Sequence, residues 1–222
     1  MVELIQKAKT AIAAIFQKLQ YRSEYLRDRL RGLFGLYPVN KGTVYSEEEE
    51  RLILETAQAL QTIFLTNPGT SLLEEDFESR CEAIEDLSER LIEIYDMENV
   101  NIIVTDDPEI FSDESGLHFG TTVYPGAIYI NANILRLDDP VMLEHIVSTV
   151  IHELRHVMQY QIMTLKKTYG VPYQRRSLWR YNITHYISCS EDFEGYRKQA
   201  IEEDARNFTN RIWQTVYRRH VK

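Results

Sequence analysis

Five consecutive residues in the second half of the chain, His152-Glu153-Leu154-Arg155-His156, carry the side chains best placed to do chemistry. Two imidazoles four positions apart stand one turn apart on the same face of a helix. Placed so, they can grip one metal ion, and the glutamate between them sits where it can hold a water molecule against that ion. The bland alternative is an amphipathic helix with two ordinary surface histidines. A catalytic zinc takes three protein ligands and keeps one position open. The sequence must therefore provide a helix for the pair and a third donor from elsewhere.

The helix is well marked. Leu143, Ile146, Val147, Val150, Leu154 and Val157 trace an apolar stripe, while His145, Thr149, His152, His156 and Tyr160 fall on another face. Asp139 can cap this helix and Pro140 suits its first position; Gly170 and Pro172 close the region. Before it, Val100 to Thr105 reads as a buried strand, and 117–135 as two short strands around a Pro125-Gly126 turn. Further upstream the periodicity is helical. A long helix is expected over 3–36, a second beginning at the Ser46/Glu49 capping box and ending before Asn67-Pro68-Gly69, and a third beginning at Ser71/Glu74 and running to about Met97. A last helix is expected from about Gln199 to Arg219. Helices, then a small sheet, then helices indicate an α+β fold. The expected division is an N-terminal helical region, 1–69, followed by the domain 70–222.

The bulk properties exclude several classes. A net charge of -9 argues against general nucleic-acid binding, which needs a basic surface. No apolar run approaches the roughly 18 residues that span a bilayer, so no membrane partner is expected. Cys81 and Cys189 form no CxxC pair and fit a reducing compartment, so a cytoplasmic location is expected. The short apolar patch near the N-terminus lacks the long h-region of a signal peptide. From Val157 to Ser190 there is no acidic residue, and the basic residues there are expected to pair with the acidic third helix or to face solvent.

The third donor is sought downstream. The residues three and six positions after His156 are Gln159 and Ile162, so the metzincin pattern with its glycine and third histidine is not met. The strict thermolysin-like Glu-x-x-x-Asp is also absent. Instead, His152-Glu153-Leu154-Arg155-His156 is followed by Ile201-Glu202-Glu203-Asp204-Ala205-Arg206-Asn207-Phe208. This pairing resembles the zincin metallopeptidases of the gluzincin type, and is especially similar to the ImmA/IrrE-like bacterial peptidases with their downstream E-x-x-A-x-x-F motif. The resemblance covers residues 71 to 213 and has two departures: Arg206 stands where asparagine is usual, and the N-terminal helices have no counterpart.

The resemblance implies a zincin-like fold, a bound Zn2+ and hydrolysis of peptide or protein substrates. It implies His152, His156 and Glu202 as metal ligands, with Glu203 the rival third ligand, and Glu153 as the catalytic acid–base. Asp204 becomes a candidate acceptor for a ligand imidazole proton, and His185, Tyr181, Tyr186 and Tyr196 become candidates to stabilise an oxyanion. Part of 117–131 becomes the edge strand that receives an extended peptide. A zincin-like module that binds without catalysis is the second reading, with a protein partner held by the N-terminal helices.

Overall fold

Ser46 starts the first described helix as its sequence signature requires. Its hydroxyl accepts from the Glu49 N–H while the Glu49 carboxylate accepts from the Ser46 N–H, so two orphan donors are satisfied reciprocally. The protein was described from a computed structural model over residues 43–64, 67–111, 118–123, 126–164, 168–188 and 191–219. The helix expected over 3–36 and Cys189 lie outside these residues, as does most of the region expected to hold a protein partner.

Helix α1 spans Glu47–Ile63, α2 Pro68–Leu73 and α3 Phe77–Tyr95. The Ser71/Glu74 box expected to open the third helix is not used. Asn67 caps α2, Pro68 occupies its first turn, and Ser71 lies inside it; Asp76 then caps α3 by accepting from the Ser79 N–H at 2.8 Å. Proline pre-set for a first turn starts the helix upstream of the serine, and Asp76 offers a fresh cap after α2 ends. Strands β1 (Asn101–Thr105), β2 (Gly120–Val123) and β3 (Ala127–Asn131) follow, then α4 (Ala132–Leu135), α5 (Pro140–Thr164), α6 (Tyr173–Thr184), α7 (Phe193–Lys198) and α8 (Ala200–Arg219). This is a mixed helix-and-sheet architecture, as expected. Helices α6 and α7 were not anticipated: the stretch is polar and basic, and α6 buries only Trp179 fully. No described helix is long and apolar enough to cross a membrane.

The sheet has the order β1-β3-β2. β1 runs parallel to β3, while β2 runs antiparallel to it with Thr122 opposite Ile128. Ile128 and Ile130 are fully buried on the face turned to the helices. Gly120 lets β2 lie close on α5: a Cβ there would come within 2.8 Å of the Thr149 methyl.

Helix α5 is the centre of the molecule. Sixteen of its residues are buried, from Met142 to Ile162, so it is covered on nearly all sides and not along one stripe only. Its core residues cluster with Leu52, Ile53 and Leu60 of α1, Ile84, Leu87 and Leu91 of α3, and Ile201, Phe208 and Ile212 of α8. Helix α1 therefore shares one core with the elements after residue 70. The start of α5 is pinned by Arg80, which is 5% exposed. Its guanidinium donates to the carbonyls of Leu72 at 2.8 Å and Leu135 at 2.9 Å, and to the Asp138 carboxylate at 3.1 Å.

Candidate metal centre

Helix α5 carries His152 and His156 as adjacent turns, and the first turn of α8 brings Glu202 against them. The two Nε2 atoms are 3.0 Å apart, and Glu202 Oε2 lies 3.5 Å from His152 Nε2 and 3.4 Å from His156 Nε2. Three donors bound tetrahedrally at the usual zinc distances sit roughly 3.3 Å from one another. The triangle therefore fits one ion of that size. Among the described residues this is the one grouping of three His, Cys, Asp or Glu side chains able to hold a metal.

The fit has a second sign. Glu202 is 2% exposed, and its Oε2 is buried without a hydrogen bond, aimed at the imidazoles. A buried carboxylate oxygen needs a cation or donor to meet it; without an ion the nearest are the His156 and His152 imidazoles, 3.4 and 3.5 Å away. The other oxygen, Oε1, accepts from the Tyr186 hydroxyl at 3.0 Å. His152 is less covered than His156, so one side of the triangle opens towards solvent. Two imidazole nitrogens and one carboxylate oxygen thus converge on one point and could hold a metal ion.

Charge within the metal-free cluster is tightly coupled. Burial alone would lower the His156 pKa, but the adjacent Glu202 carboxylate outweighs it and lifts it to about 9. Burial alone would raise the Glu202 pKa; the His156 and His152 imidazoles instead hold it well below the ordinary carboxylate range. Burial, and after it the Glu202 charge, push the Tyr196 phenol far above its usual value, so it remains protonated.

Glu153 lies beside the triangle and is 9% exposed. Its Oε2 accepts from the Thr122 hydroxyl of β2 at 2.6 Å. Thr122 stands opposite Ile128, on the sheet face turned to α5, which is why its side chain reaches across. The Glu153 carboxylate, the two imidazoles and the edge strand β2 thus meet at one place.

The remaining expected residues divide. Glu202, not Glu203, brings an oxygen to the imidazoles. Tyr186 and Tyr196 pack edge to face, with centroids 6.2 Å apart, beside Glu202. His185 does not join them: it is exposed, stacks on Tyr181 at 4.2 Å and shares its Nδ1 with Thr184 Oγ1. Asp204 is buried but does not face a ligand ring. It accepts from Arg155 Nε at 2.8 Å and Gln159 Nε2 at 2.9 Å, and the His156 Nδ1 instead meets Gln159 Oε1 at 2.8 Å. Of the basic residues after Val157 expected to pair with the acidic third helix or to face solvent, Lys166 and Lys167 lie outside the described residues and Arg180 is exposed. Arg175 turns inward to Glu49 of α1 and lies 3.6 Å from Asp204. Sequence reasoning missed Gln159, Thr122, Glu49 and Arg175. Gln159 alone left a local signal, since it lies three residues after His156 on one helix face.

Comparison with protein-family models, curated proteins and solved structures found no match to this chain.

Proposed function

We propose that the chain is a zinc-dependent peptidase with a zincin-like fold. The observation that carries this reading is the buried, unbonded Glu202 Oε2 facing the His152 and His156 Nε2 atoms, with the Glu153 carboxylate alongside. The order of elements supports it too, since a small sheet with an antiparallel edge strand precedes the helix bearing the histidines.

A divalent ion held by the three side chains supplies Lewis-acid polarisation of a carbonyl and acidifies a water molecule. The protein's own groups do the rest. His152 and His156 offer neutral imidazole nitrogens and Glu202 one carboxylate oxygen. Glu153 removes a proton as a water oxygen bonds to the scissile carbonyl carbon, and delivers it to the amine nitrogen when the C–N bond breaks. Thr122 holds that carboxylate in place by donating to Oε2. The outer side of β2 offers backbone groups to an extended peptide. Tyr186 and Tyr196, which flank Glu202, are the phenols available to donate to a developing oxyanion.

Elemental analysis of purified protein is the first test. About one zinc per chain is expected, as for a single His2Glu site, with clear loss in Glu202→Gln. Glu153→Gln should keep its zinc and lose turnover on a peptide library. Absence of zinc from the wild type, even after zinc is added back, would refute the metal site. Turnover by Glu153→Gln would refute the mechanism.

A further inference from the structure

We propose that Gln159 is the positioning residue of the metal site, fixing the His156 ring so that Nδ1 carries the proton and Nε2 is presented to the ion. This deepens the metal reading above and rests on it. The argument begins with the amide. A glutamine side chain has one accepting and one donating end, and either can face a histidine. Here the choice is made by what lies behind it. The Gln159 nitrogen has two acceptors, the Ile201 carbonyl at 2.9 Å and Asp204 Oδ2 at 2.9 Å. Turning the amide over would set its oxygen against both of them. The accepting end therefore faces His156, at 2.8 Å from Nδ1. An acceptor at Nδ1 requires an N–H there, which leaves the Nε2 lone pair directed at the triangle.

Asp204 is held in its turn. Arg155, fully buried one residue before His156, donates to the same Asp204 Oδ2 at 2.8 Å and to Glu49 Oε1 at 2.5 Å. Gln159 is fully buried as well, so water does not compete for either end of its amide. The chain Glu49–Arg155–Asp204–Gln159–His156 joins three helices. It explains why the carboxylate that such sites often place directly on a ligand imidazole is here one residue removed.

The test uses the full-length protein, with zinc affinity measured by competition against a chromogenic chelator. Gln159→Leu keeps the volume and removes the acceptor. It should fold, by circular dichroism and thermal melting, and bind zinc about 10- to 100-fold more weakly. A folded Gln159→Leu with wild-type affinity would overturn the inference and leave the metal reading standing. Should that variant fail to fold, the wild type still decides. In the zinc-loaded protein, the 15N shifts of His156 should show a protonated Nδ1 and a metal-bound Nε2, and the reverse assignment overturns the inference. A wild type that takes up no zinc overturns both readings and is distinguished by the sample that fails.

Discussion

Arg155 shows what a single side chain is doing in a motif that leaves its position open. It is fully buried, paired with Glu49 and Asp204, and its guanidinium lies 4.4 Å from the Phe208 ring centroid and 5.4 Å from that of Trp179. Breaking a buried pair strands the partner's charge, at a cost of about 3–5 kcal/mol. Arg155→Met should therefore lose about that much stability in urea unfolding, far above the ordinary effect of a surface substitution. A loss under about 1 kcal/mol would mean that Arg175 neutralises Glu49 and Asp204 unaided. None of this was legible at residue level. The partners lie 106 and 49 positions away, and charge burial depends on contacts that no local pattern encodes. His152, His156 and Glu153 were legible because their geometry is local: one helix, one turn.

At the scale of elements, local grammar was readable wherever one segment determined the outcome. The Ser46/Glu49 box and the α5 start at Pro140 follow from residues within four positions of one another. The break between α2 and α3 was not read, because Asn67-Pro68, Ser71/Glu74 and Asp76 all offer start signals within ten residues and the Ser71 signal goes unused. Gly69 is where the packing of α2 is tightest: a Cβ there would lie 1.9 Å from the Pro140 carbonyl oxygen. α2 thus rests directly on the first turn of α5, the helix that carries His152 and His156. Gly69→Ala must push α2 away or bend α5. It should destabilise by about 1–3 kcal/mol, as overpacking does, although alanine is the better helix former. A denaturant midpoint equal to or above that of the wild type would show that the contact relaxes freely.

For the whole molecule, the question is whether the proposed metal would build the fold or decorate it. The donors join α5 to α8, but the same helices already bury Val147, Val150, Ile151, Phe208 and Ile212 without it. Hydrophobic burial of that extent, at about 25 cal/mol per Å2, can sustain a domain of this size, unlike a zinc finger, which collapses without metal. Chelator-treated protein should therefore keep its helical circular dichroism. Zinc at 100 times its dissociation constant adds about 2.7 kcal/mol to the folded state. For a chain of this length that corresponds to a rise in Tm of roughly 5–10 °C. The rise should vanish in Glu202→Gln, which keeps the core and loses the donor that faces both imidazoles. Complete unfolding on chelation would show that the ion is structural, because the core could not then hold α5 and α8 together on its own. An equal rise in Glu202→Gln would place the zinc elsewhere on the chain. Retained structure with a Glu202-dependent shift is the pattern expected of an ion bound to a framework that folds first, which is the arrangement a catalytic site with an open side requires.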